Sequence, residues 1–200
     1  MGHFICYPPI ELDVMSILSY TPLLQHPTTP DYYISVNAIS INGEGRHFDG
    51  LGHGGVKLST MVPYTTLRSH IYRSFLKNFV KATRGIPRAK RVKPFDLCLK
   101  TRTLGWTRVG LPVPQIDLEL ANGKNRTIFG ANSMKKVSDN VACLAFVDGG
   151  KRAEQAVVIG SYQMENNFFL FDLVESRLGF SSSLFFVRTT CANFNFTSTL

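Results

Sequence analysis

Short apolar segments recur along this chain between turn signals, and only one longer segment keeps a helical period. Residues 32–41, YYISVNAISI, alternate, with Tyr33, Ser35 and Asn37 set against Ile34, Val36 and Ala38. That period of two predicts a half-buried strand. Asn42-Gly43 behind it is a hairpin turn signal. Residues 44–55 hold five glycines and read as a loop. Further strands are expected at 115–120, 126–129, 141–147, 156–159, 167–172 and 178–181, separated by turns such as Asn122-Gly123 and Asp148-Gly149-Gly150. At 64–82 the period changes: Leu67, Ile71, Phe75 and Phe79 recur every four residues, which predicts one amphipathic helix. Residues 1–30 carry five prolines and read as a linker with one edge strand near 17–24. The pattern as a whole predicts a mainly β sandwich or barrel.

The bulk composition permits a real core, with 44% apolar residues in 200. The net charge of +8 suits nucleic acid, an anionic membrane, pectin-like polyanions or an acidic protein cleft, and does not choose among them. The basic run 83–93 lacks interleaved aromatics, so it reads as a solvated loop closing a helix rather than a nucleic-acid or nuclear-import patch. No apolar run approaches the ~20 residues that span a bilayer. The first residues, MGHFICYPPIELD, do not read as a signal peptide, and Cys6 breaks a myristoylation pattern.

Chemistry is scarce. No aspartate begins an Asp-Thr-Gly or Asp-Ser-Gly triplet, and no nucleophile elbow or phosphate loop occurs. Four cysteines, Cys6, Cys98, Cys143 and Cys191, form no zinc pattern, and His47 with His53 lacks the carboxylates a metal would need, so no metal and no cofactor are expected. Asp117 and Glu119 share a strand face, which is more often solvated than catalytic. Sequons stand at Asn125 and Asn195, and with the cysteines they hint at a secreted history.

Four passages carry a resemblance: DYYISVNAISING, KPFDLC, VACLAFVDGG and VVIGSYQMENNFFLFDLVESRLGF. Together they resemble the C-terminal lobe of plant pepsin-like proteins, of the aspartic peptidase superfamily. With GGVKLSTMVPYTTL and RTTCANFNFTS, they resemble its non-proteolytic branch. That branch holds basic 7S globulin, extracellular dermal glycoprotein, and inhibitors of xyloglucan-specific endoglucanases and xylanases. The resemblance implies a pepsin-like C-terminal lobe at 31–200, with short helices besides the one at 64–82. The N-terminal lobe, its natural partner, is expected to lie outside this chain.

In active relatives the turn after the GGVKL strand carries the second lobe's catalytic triplet. Here Ser59, Thr60 and Met61 match those positions. Serine supplies no carboxylate to share a proton across the lobes, and methionine lacks the backbone freedom of glycine. The resemblance further implies a Cys98–Cys143 disulfide. It places Cys191 against a cysteine tied to the absent lobe, leaving Cys6–Cys191 pairing and a free thiol both open.

In the inhibitor branch, loop arginines enter a glycosidase cleft and meet its catalytic carboxylates. By motif these are Arg108 in TRVGLPVP and Arg188 in VRTTC. A guanidinium forms a planar paired salt bridge with a carboxylate, whereas the plain reading of both is ordinary surface arginine. Val187 stands where the xylanase-inhibitor type has histidine. The reading is therefore a non-catalytic, extracellular cell-wall inhibitor whose partner is a microbial endoglucanase, with no nucleic acid or membrane. The alternatives are an aspartic endopeptidase, a storage or peptide-binding globulin of the basic 7S type, or a truncated product without function.

Overall fold

The computed structural model describes residues 13–25, 29, 31–47 and 55–193. Cys6, His53 and Asn195 lie outside the described residues. Among those described, strands form three sheets and dominate the fold. The largest runs, in spatial order, Phe146–Asp148, Thr65–Leu67, Val157–Ile159, Val56–Leu58, Tyr32–Ile34, Ser19–Gln25, Arg177–Phe180, Phe169–Asp172. A four-stranded sheet orders Glu44–His47, Val36–Ile41, Ile116–Leu120, Asn125–Ile128. A three-stranded sheet orders Met134–Ser138, Val141–Leu144, Cys98–Lys100.

Asn42 and Gly43 take positive φ and close the Val36–Ile41/Glu44–His47 hairpin. The loop expected at 44–55 therefore begins as a strand, whose backbone pairs with Ala38–Ile41. Two strands read as continuous are split. Tyr32–Ile34 and Val36–Ile41 belong to different sheets, and so do Val141–Leu144 and Phe146–Asp148. The chain crosses between sheets at Ser35 and Ala145, where each segment passes from one sheet to the next. The strand near 17–24 is not an edge. Ser19–Pro22 pairs with Arg177–Phe180, and Leu23–Gln25 pairs with Tyr32–Ile34. Pro22, which has no N–H to give, sits where the strand changes partners.

Helix α1 spans Ser69–Ala82, later than the 64–82 expected. Thr65–Leu67 is a strand between Phe146–Asp148 and Val157–Ile159, and Leu67 is fully buried there. Two β-branched threonines and partners on both sides outweigh the four-residue spacing that put Leu67 on the helix. Ile71, Tyr72, Phe75 and Phe79 form the buried face of α1. Phe75 meets Phe146 with ring centroids 4.8 Å apart.

The basic run after α1 is not wholly solvated. Ile86 packs on the main core and Ala89 on a smaller cluster with Phe95 and the cysteine pair. Arg88 donates to the Val80 carbonyl at 3.0 Å and the Thr83 hydroxyl at 3.0 Å, closing the C-terminus of α1.

Candidate functional site

The turn Ser59–Thr60–Met61 leaves the strand Val56–Leu58, which lies parallel to Val157–Ile159 and antiparallel to Tyr32–Ile34. Ser59 N–H donates to Ile159 O at 3.0 Å. Its Oγ accepts from Met61 N–H at 3.2 Å, so the hydroxyl closes the turn on itself. The return leg is clamped by Ser161 and Tyr162 N–H groups donating to Val62 and Pro63 carbonyls. Gly160 makes this approach possible: a Cβ there would lie 2.5 Å from Tyr64 C. Behind the turn, buried Gln163 accepts from Thr65 N–H at 2.8 Å and Thr65 Oγ1 at 2.9 Å. It donates to Asn132 O at 3.0 Å and Ala145 O at 2.9 Å.

The turn opens on a cleft of ≈ 610 Å³ whose wall includes Asp31 and Glu154. Asp31 is paired with Lys57 at 2.7 Å, and that hydrogen bond raises the lysine's pKa. The turn itself holds two hydroxyls and an exposed thioether, which provide neither general acid nor general base.

Arg108 and Arg188 stand on neighbouring loops. Thr107 and Gly110 exchange backbone hydrogen bonds at 2.8 and 3.2 Å, so Arg108 rides the tip of a pinned turn. Gly110 has φ +95, and a Cβ on it would fall 2.2 Å from Ala131 N, so only glycine closes this turn. Arg188 ends the 3₁₀ turn Leu184–Val187 in the left-handed region, φ 57, with its N–H on Phe185 O at 3.1 Å. The two loops touch: Arg108 Nη1 donates to Phe186 O at 3.3 Å. Both arginines are exposed, and among the described residues neither has an ion-pair partner.

Sequence reading missed the aromatics beside them. Trp106 is 68% exposed and Phe186 45%. Phe186 meets Phe129 edge-on at 5.1 Å. Trp106 and Phe185 rim a cavity of ≈ 320 Å³ floored by Met134 and Tyr162. The available signal was that Trp106 is the chain's one tryptophan and lies two residues from Arg108.

Other expected residues have structural places. Cys98 and Cys143 face each other across adjacent strands and are disulfide-bonded. Tyr162 packs beside them and donates to Ala131 and Met134 carbonyls; burial, with the Glu165 charge adding, pushes its pKa to about 12. Cys191 is half-buried, its sulfur 4.0 Å from Asn167 O. Asn125 is exposed at the start of Asn125–Ile128. Asp117 is buried rather than solvated and accepts from the Thr127 hydroxyl and the Gln115 amide. It is a sheet contact, and its carboxylate is used up there. Among the described residues no cluster of three His, Cys, Asp or Glu could hold a metal. No described helix is long and apolar enough to cross a membrane.

Residues 31–182 match the family described as Xylanase inhibitor C-terminal. The chain belongs to that family. A relative named probable aspartic proteinase GIP2, from Nicotiana benthamiana, is 45% identical over 90% of this chain and 45% of its own length. The crystal structure of edgp superposes with a TM-score of 0.85 at 41% identity, over 92% of this chain and 49% of that one. Conglutin gamma, a basic 7S globulin from lupine seeds, superposes with a TM-score of 0.81 at 34% identity, over 93% and 46%. The fold is thus the pepsin-like lobe of the basic 7S globulins, and the family resemblance read from the sequence holds. The chain spans about half the length of the curated relatives it matches.

Proposed function

We propose that this protein acts by binding, as an inhibitor of a plant-pathogen glycoside hydrolase of the endoglucanase type, outside the cell. The observation that carries the reading is the Arg108–Phe186 hydrogen bond. It joins the Arg108 turn to the segment ending in Arg188, and so brings Arg108 beside exposed Phe186, with Arg188 two residues further along the chain and exposed Trp106 two residues before Arg108. Guanidinium forks on rigid turns, beside aromatic anchors, suit an acidic glycosidase cleft. Membership in the xylanase-inhibitor family supports the same class of partner.

The test is inhibition of a xyloglucan-specific endoglucanase by the purified chain. R108A is expected to weaken inhibition by ~30-fold or more, as for loss of a buried charge contact of ~2–5 kcal/mol. R188G is the cleaner partner variant, because glycine keeps the left-handed turn while removing the guanidinium. Inhibition unchanged in both variants would sink the assignment of these residues. The name of the tobacco relative favours a second reading, an aspartic endopeptidase. Pepstatin-sensitive cleavage of a denatured protein substrate would establish it over the first.

A further inference from the structure

The positive charge of this protein is concentrated in one segment. Between Asp49 and Asp96 there is no acidic residue, while ten of the chain's 22 Lys and Arg lie there. The rest of the chain holds 12 basic against 14 acidic residues, so this segment supplies all of the net +8. The structure gives the charge a shape. Arg73, Lys77 and Lys81 are exposed at four-residue steps along α1, about 6 Å apart by helical rise. They lie opposite the face that buries Ile71, Phe75 and Phe79. Beyond the helix end, Arg84, Lys90, Arg91 and Lys93 are exposed in the following loop.

Part of this charge has a local purpose. Arg88 closes the helix, Lys81 reaches Glu44 at 3.5 Å, and Arg91 reaches Asp96 at 3.8 Å. Arg73, Lys77, Arg84, Lys90 and Lys93 have no ion pair among the described residues, although the Arg73 charge adds a little to the depression of the Asp148 pKa. Arg73 and Lys77 are too far from the C-terminal turn for the helix dipole to explain them.

We infer that this stripe is a docking surface for an acidic polysaccharide, a polyuronate. The surface lacks what other polyanions need. On α1 and the loop after it the exposed large apolar residues are Val80 and Val92, and the exposed aromatics Trp106, Phe171 and Phe186 lie elsewhere, so single-stranded bases find no stacking platform there. The apolar face of α1 is spent in the core, so the helix has nothing to insert into a bilayer. A chain of carboxylates spaced along sugars asks only for a row of solvated cations. The Cys98–Cys143 bond suits an oxidising extracellular setting, where uronate polymers are the flexible polyanions of a plant wall. This surface is separate in residues from the Arg108/Arg188 patch, so the inference stands without the inhibitor reading.

The experiment measures binding of the full chain to polygalacturonate, to its fully methyl-esterified form, to oligo-dT and to phosphatidylserine vesicles, over a salt series. Polygalacturonate is expected to bind best, and its ester and the others at least ~10-fold more weakly, with affinity falling steeply as salt rises. R73Q/K77Q/R84Q/K90Q is expected to lose about 10-fold or more, while the charge-matched control K100Q/R102Q/K124Q/K151Q stays within about 2-fold. The half-variants R73Q/K77Q and R84Q/K90Q, checked for native circular dichroism, are each expected to lose part of the affinity. No binding to polygalacturonate at low salt, equal loss in the control, or tighter binding to the oligonucleotide or the vesicles overturns the inference.

Discussion

Single buried polar side chains hold this fold at its tightest points. Gln163 is fully buried and uses both ends of its amide to join Thr65, Asn132 and Ala145, which lie on separate stretches of the chain. Q163L keeps the volume but strands four buried polar partners, at ~1–3 kcal/mol each before relaxation. We expect a loss of about 3 kcal/mol or more, read as a lower urea midpoint at unchanged m-value. Arg126 shows the opposite economy. It is buried over the Phe169 ring and donates to Gln163 O at 2.6 Å, but Nε and Nη1 have no partner, and burial lowers its pKa to about 10. The glutamine was legible as part of the closing family motif. The arginine was legible as the start of a strand and the middle of a sequon but not as a buried residue, because burial depends on residues distant in sequence.

Among the elements, α1 depends on a neighbour for its start. Arg68 at the N-cap makes no side-chain cap, and the first turn has no acid. The missing charge comes from across the fold: Asp148 accepts from Ser69 Oγ at 2.7 Å and from Gly150 N–H at 2.8 Å. The Ser69 hydroxyl, then the Gly150 amide, hold the Asp148 pKa below the usual carboxylate range. A depressed carboxylate contributes stability above its unfolded pKa of ~3.9, and that stability fades as pH falls through the lower folded value. Asp148 is exposed, so solvent screens its charge; D148N is therefore expected to cost about 0.5 kcal/mol at neutral pH, with the gap to wild type closing below about pH 4. Thermal unfolding of both proteins at pH 7 and pH 3 checks this. The helix's existence was legible from Ile71, Phe75 and Phe79, but its first turn was not. The spacing of Leu67 fits either a helix face or a strand, and only the partners beside Thr65–Leu67 choose.

At the scale of the molecule, the three-stranded sheet is stapled at its middle. Cys98 and Cys143 are both almost wholly buried and 45 residues apart in sequence. Closing a loop of that length removes unfolded-state entropy worth about 4 kcal/mol. C98S/C143S is expected to lose roughly that much in urea unfolding. The native protein should keep the bond in mild reductant, since a thiol must open the core to reach it. No strand alternation indicates which cysteines meet, so this pairing came from the family resemblance and not from spacing.

The chain's local chemistry by itself determined the alternation of strands, the Asn42-Gly43 hairpin, the buried face of α1 and the concentration of positive charge in one segment. Each follows from side chains within a few residues of one another, or from a simple count of charge. Tertiary structure alone decided which sheet each half of a split strand joins, that Asp117 is buried, and that Trp106, Arg108 and Phe186 share a patch. Those outcomes depend on contacts across tens of residues. A backbone hydrogen bond such as Leu23 N–H to Ser176 O carries no signature in either of the segments it joins.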